Sequence, residues 1–154
     1  MKQCIFLITC WAVGRKLLHS SQLASPQQGH EVELINIFNA FDQDVLQHKA
    51  EWARQFDVII GWSLGGQLAS LLVDEIEQHY AEQKILITLA SNPCFVANDT
   101  WQTAMPSQTF QVFKQSFEQD VVATLKKFGY MVCQGVESSK KDFITLQSLI
   151  QPQQ

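Results

Sequence analysis

At 154 residues, 46% of them hydrophobic and 17% charged, the chain has the length of a single globular domain with enough apolar material to bury a core, and its composition excludes general disorder. A formal net charge of −4 argues against a surface built to bind nucleic acid.

The apolar run Cys4-Ile5-Phe6-Leu7-Ile8 behind Lys2 has the look of a leader, but it stops at Ile8 with no small-x-small cleavage site after it. It therefore reads as the first core strand, Ile5 to Thr9. Cys10 to Gly14 is its exit loop, and Lys16 to Ala24 a helix ended by Ser25-Pro26 and a polar loop through Gly29. Val32 to Phe38 reads as a second strand. Asp42 can cap a helix from about Gln43 to Gln55, with Val45, Leu46, Lys49 and Trp52 near one face. Val58 to Ile60 is a third, short buried strand. Leu64 to Tyr80 is a helix with Leu64, Leu68, Leu71, Leu72 and Ile76 on one side, and Lys84 to Ala90 a fourth strand. Strands alternating with helices predict an α/β fold with a parallel sheet in the order 2-1-3-4, right-handed crossovers and helices on both faces. Beyond Ala90 the pattern changes. A turn-rich stretch from Ser91 to Pro106 leads to Phe110, Phe113, Phe117, Val121, Leu125 and Phe128 at helical spacing, and then to a helix over Ser138 to Ile150. With no strand between them, these helices read as a lid over the strands' C-terminal edge. The expected organisation is a core over 1–90, a helical lid over 91–150 and a polar tail over 151–154. Nothing approaches the ~20 apolar residues of a membrane span.

The four cysteines, Cys4, Cys10, Cys94 and Cys133, have neither C-x-x-C spacing nor neighbouring His pairs. No metal site is expected, and the scattered apolar surroundings suit the reduced, packed thiols of a cytosolic protein. Residues 1–113 carry 6 Lys/Arg against 11 Asp/Glu, whereas residues 114–154 carry 5 Lys against 4 Asp/Glu. The mildly basic second part is either a solvated face or a docking face.

The most informative stretch is Gly61-Trp62-Ser63-Leu64-Gly65-Gly66. A G-x-S-x-G string between an apolar strand and an amphipathic helix is the context of a nucleophile elbow, in which a serine stands on a strained turn at the top of a parallel sheet. Side chains beside Ser63 must be small for so tight a turn, which accounts for Gly61 and Gly65, and the helix N-terminus aims free N–H groups at the site. The bland alternative is a glycine-rich turn that only packs closely.

This segment, with Ala69-Ser70 after it and with Leu89-Ala90-Ser91-Asn92-Pro93-Cys94-Phe95, resembles the pimeloyl-[acyl-carrier-protein] methyl ester esterases of biotin synthesis, within the α/β-hydrolase superfamily. The resemblance runs from Ile5 to Ile150. Asp99-Thr100-Trp101 looks like the family's D-x-W, and Gly135-x-Glu137 like its G-T-E element. It implies a serine carboxylesterase without a cofactor, cytoplasmic, acting on an acyl chain borne by an acyl carrier protein. Ser63 looks like the nucleophile. The backbone N–H groups of Leu64 and Trp11 look like the oxyanion hole, because Thr9-Cys10-Trp11-Ala12 aligns with the family's H-G-W-G loop. Thr9 stands there for the His, and Cys10 and Ala12 for glycines. Trp62 and Phe128 would line the acyl pocket, with ordinary core packing as the alternative for each. Lys127 and Lys140 fall where the family receives its acidic carrier protein, whereas Ala123 and Ile144 occupy other such positions.

An esterase serine works with a base and an acid, in the chain order Ser, acid, His in this fold. The family's acid and His lie beyond the lid, and no His follows His79 in this sequence. His30 and His79 are expected at the face opposite Ser63, and His19 and His48 on solvent-facing helix positions. Asp99 and Asp42 are candidate acids with no base beside them. Cys10 and Cys94, the other conceivable nucleophiles, lack a neighbouring His and read as packed thiols. Three readings stay open: a short relative of the esterases, a catalytically incomplete module that binds the acyl chain or its carrier protein, and one part of a site completed by another chain. An unpaired strand at the fourth-strand edge would also favour homo-oligomers.

Overall fold

The computed structural model describes residues 4–10, 29 and 31–150. They divide into two compact units, residues 1–92 and 93–154. In the first unit four strands form one parallel sheet: β1 (Cys4–Ile8), β2 (Glu31–Ile35), β3 (Val58–Trp62) and β4 (Ile85–Leu89), in the order β2-β1-β3-β4. The predicted order and fold class are borne out. Phe6 lies opposite Ile59 of β3, and Ile59 opposite Leu86 of β4. The second strand stops at Ile35, three residues short of the predicted Phe38.

Helix α1 (Gln43–Ala53) begins where Asp42 accepts a hydrogen bond from the Val45 N–H at 3.2 Å, the predicted cap. Helix α2 spans Leu64–Tyr80 and ends on Ala81 in the left-handed conformation. On one face of the sheet Phe6, Ile8, Ile35 and Ile59 meet Leu46, Ala50 and Ala53 of α1 and Leu68, Ala69, Leu72 and Ile76 of α2. Phe6 packs edge-on against Trp52, with ring centroids 5.2 Å apart. Phe6, Ile8, Ile59, Leu72 and Ile76 are fully buried, each worth ~1.5–3 kcal/mol of apolar burial. Leu71, expected on the same stripe, is 45% exposed: one position before Leu72, it is turned about 100° away around the helix. The opposite face of the sheet gathers Leu7 and Leu34 with Val32, Ile60 and Trp62. The helix predicted over 16–24, the exit loop with Trp11, and the tail over 151–154 lie outside the described residues, as do His19 and His30.

β4 combines the composition of an interior strand with the position of an edge. Ile85, Leu86, Ile87 and Leu89 are all at least 38% exposed. At the end of the sheet where β4 begins, Glu82 joins the loop before it to the end of α1. Arg54 donates to Glu82 Oε1 through both Nε (2.9 Å) and a terminal nitrogen (2.6 Å), and Lys84 lies 3.3 Å from Oε2.

The second unit contains helices α3 (Ser107–Gln119), α4 (Val121–Val132) and α5 (Ser139–Leu149). The apolar spacing from Phe110 to Phe128 runs unbroken through what are two helices. Asp120 leaves the helical conformation (φ −150°) and its side chain accepts from the Ala123 N–H at 2.9 Å, capping α4. Phe113 packs on Phe117 and Phe128, and Phe143 edge-on against Tyr130. Before α3, Val96 bridges Met105, and the Asn98 side chain gathers the N–H groups of Thr100 and Trp101.

Candidate active site

Ser63 is the single residue between the last residue of β3 and the first of α2. Its backbone stands at φ 56°, ψ −119°, a region that costs an L-residue ~1–3 kcal/mol and persists only where its surroundings impose it. They do. The Ser63 N–H donates to the Leu89 carbonyl of β4 at 2.8 Å, and the Ser63 carbonyl accepts from the Gly66 N–H at 2.9 Å. A Cβ on Gly61 would collide with the Gly65 carbonyl, and one on Gly65 would lie 2.5 Å from the carbonyl oxygens of Ile8 and Thr9. The two glycines thus permit the crossing of α2's first turn over β3 and the end of β1. Ser63 is half-buried, and the Leu64 N–H, next along the chain, meets no acceptor among the described residues.

The other predicted site residues fall as follows. Trp62 packs with Ile60, Leu7 and Leu34 on the sheet face away from α2. Phe128 belongs to the aromatic cluster of the second unit, 6.0 Å from Phe113. Lys127 and Lys140 are exposed, on α4 and α5. Trp11 lies outside the described residues. Asp42 is occupied in capping α1. Asp99 is exposed in the turn held by Asn98. The Cys94 thiol donates to the Val96 carbonyl at 2.8 Å, and Cys10 is buried. None of the four cysteines forms a disulfide.

Of the histidines, His79 sits in the last turn of α2. A rise of ~1.5 Å per residue puts it ~24 Å along the axis from Ser63. Its Nδ1 pairs with the Glu75 carbonyl at 3.1 Å. His48 Nδ1 lies 2.6 Å from the Asp44 carbonyl. His48 and His79 line one shallow depression of about 260 Å³ with Gln47, Ala50, Glu51, Glu75 and Tyr80. Neither described histidine stands at the elbow. Among the described residues no three metal-ligating side chains converge, and no helix is long and apolar enough to cross a membrane.

Sequence reasoning gave Ser91 no role, yet it touches the elbow directly: its hydroxyl donates to the Ser63 carbonyl at 2.8 Å. The clue available was a hydroxyl residue just past a strand that neighbours the elbow strand, together with a third glycine, Gly66, that G-x-S-x-G does not require.

A parallel sheet whose central strand breaks through one strained serine into a helix defines an α/β-hydrolase fold. Its likeness to an esterase from Exiguobacterium antarcticum, at a TM-score of 0.68 over 96% of this chain and 61% of that one with 16% identity, agrees. The family model described as lipase (class 3) matches residues 16–129. Residues 4–10 aside, this match holds every element of the first unit. Curated relatives include the biotin biosynthesis bifunctional protein BioHC of Saccharophagus degradans, 36% identical over 118 residues, which are 75% of this chain and 20% of the relative. Two pimeloyl-[acyl-carrier protein] methyl ester esterases also match. That of Citrobacter koseri is 31% identical over 70% of this chain and 41% of the relative, and that of Aeromonas salmonicida 29% over 90% and 57%. The chain belongs to the class 3 lipase family and is a homologue of the pimeloyl-[acyl-carrier protein] methyl ester esterases, as the Gly61–Gly66 and Leu89–Phe95 segments led one to expect. It spans between about a fifth and three fifths of the length of these relatives.

Proposed function

We propose that this chain carries the nucleophile and both oxyanion-hole donors of a serine carboxylesterase that cleaves the methyl ester of a pimeloyl chain held by an acyl carrier protein. The observation that carries the reading is the backbone of Ser63 at φ 56°, ψ −119° between β3 and α2, the strained strand-to-helix turn on which a nucleophile elbow presents its serine. The names of the relatives supply the substrate class. In this reading the Ser63 Oγ attacks the ester carbonyl and its proton passes to a base. The Leu64 and Trp11 N–H groups receive the oxyanion, methanol leaves, and water releases the acid from the acyl-enzyme. Residues 1–90 act as the core and 91–150 as the lid. Trp62 and Phe128 would border the acyl chain, and the exposed Lys127 and Lys140 would meet the acidic carrier.

The base is the open position. Both described histidines belong to the depression at the far end of α2, so neither of these two serves Ser63, and a site completed by another chain, or a module that binds without turnover, stands beside the esterase reading. The test is methanol release from a carrier-bound pimeloyl methyl ester by the chain alone and with other chains from its source, with Ser63→Ala beside each. Release that needs Ser63 and the other chains supports the esterase reading with a base supplied by a partner; Ser63-dependent release by the chain alone keeps the esterase but puts the base within this chain. Carrier binding with no Ser63-dependent release in any setting replaces it with the binding module.

A further inference from the structure

We propose that Ser91, in the turn leaving β4, is a positioning residue that sets the direction of the Leu64 N–H, the oxyanion donor of the proposed reaction. The inference rests on the reading of Ser63 as nucleophile. A peptide group is planar and trans, so its C=O and N–H point opposite ways and rotate together. The group joining Ser63 to Leu64 presents its N–H to the proposed site and its carbonyl to the protein. That carbonyl is held twice, by the Gly66 N–H at 2.9 Å and by the Ser91 hydroxyl at 2.8 Å. The peptide group on the other side of Ser63 is held by the Leu89 carbonyl, two residues before Ser91. Both flanks of the strained residue are therefore gripped by the end of β4.

The chain goes to some length to place this hydroxyl. Ala90 stands at φ 46°, a conformation L-residues avoid, and this reversal separates Leu89, which accepts from the elbow, from Ser91, which donates to it. Gly66 makes room: a Cβ there would collide with both Cβ and Oγ of Ser91. The Gln67 side chain then donates to the Asn92 carbonyl at 2.8 Å, fastening the same turn to α2. Two hydrogen bonds thus hold this one peptide plane, and two strained residues and a glycine place the groups that make them.

The test is phosphonylation of the full chain by a fluorophosphonate, followed by intact mass, in the unmodified chain, Ser91→Ala, Gly66→Ala and Ser63→Ala, with amide exchange of the segment 58–66 measured in parallel. Losing one neutral hydrogen bond should lower kinact of Ser91→Ala about five-fold with KI unchanged, and speed exchange in the elbow segment by a similar factor while the rest of the sheet keeps its protection. Gly66→Ala should reproduce both changes by displacing Ser91. If Ser91→Ala labels and exchanges like the unmodified chain, the proposal is overturned. If Ser63→Ala labels as well as the unmodified chain, the nucleophile reading has failed. Elbow exchange alone then decides whether Ser91 holds the turn: faster exchange keeps the clamp, and unchanged exchange removes it.

Discussion

Gly65→Ala should destabilise the protein although it replaces glycine by the best helix former. In α2 the substitution gains ~1 kcal/mol in helix propensity and reduced freedom of the unfolded chain. Against this, the new Cβ would stand 2.5 Å from the backbone oxygens of Ile8 and Thr9, closer than any stable contact. Neither oxygen can retreat at low cost, because Ile8 and Thr9 are both 0% exposed and Ile8 is paired in the sheet with Ile35 and Gly61. Overpacking of this kind costs ~1–3 kcal/mol, and rigid backbone on the receiving side argues for the upper end. The net loss is then ~2 kcal/mol, or a fall in Tm of roughly 4–8 °C for a domain of this size. Gly129→Ala is the internal control. It is also helical and buried, but its Cβ would meet the end of the Ile150 side chain at 3.3 Å and Leu146 at 3.5 Å, groups that turn aside. It should be neutral or stabilising by ~0.5 kcal/mol. Urea unfolding followed by far-ultraviolet circular dichroism reads both. Equal effects at the two positions, or a Gly65→Ala chain as stable as the unmodified one, would refute the argument from close approach.

Three further outcomes are expected. The Arg54 hydrogen bonds, with Lys84 assisting, hold the Glu82 carboxyl below the ordinary glutamate range; a carboxylate so depressed adds stability that is complete above its unfolded value and is lost as pH falls through its folded value. Glu82→Gln should therefore flatten the acid limb of a stability–pH curve and leave its shape near neutrality alone, and an unchanged acid limb would count against the pair. Thr9 Oγ1 is buried and finds no hydrogen-bond partner among the described residues, so Thr9→Val should stabilise by ~1 kcal/mol in thermal unfolding; a clear loss would mean that the hydroxyl has work to do. The apolar residues exposed along β4 should make the chain self-associate in sedimentation, with Ile87→Lys shifting it toward monomer; a monomeric unmodified chain would contradict this.

The elbow and its flanks were readable from sequence because each boundary has a local cause. An apolar run ends at Gly61, α2 starts with small residues and then shows its stripe, and Asp42 stands where a cap is needed. Strand order followed from the alternation of elements. The division at Asp120 was hidden because the apolar period continues through it, and only the carboxylate bond to Ala123 marks the stop. The part of Ser91 was hidden for another reason. Its hydrogen bond spans 28 positions, and nothing in the pattern of a strand end states which neighbour its hydroxyl will meet. The G-x-S-x-G string between an apolar strand and a helix pointed to Ser63, while the packing around Gly66 showed what holds its turn.

The central claim is that Ser63 stands on a nucleophile elbow with neither described histidine, His48 nor His79, at hand. Turnover of a short methyl or p-nitrophenyl ester by the purified chain, beside Ser63→Ala, tests it most directly. Loss of the histidine from such a triad costs ~10⁶ in turnover, leaving ~10³–10⁴ over water from the oxyanion hole and binding. The account predicts residual hydrolysis of that order, changed little by Ser63→Ala. Turnover near ~10 s⁻¹, the middle of the range for enzymes, abolished by Ser63→Ala, would contradict it and show that one of His19, His30, His48 and His79 reaches the serine.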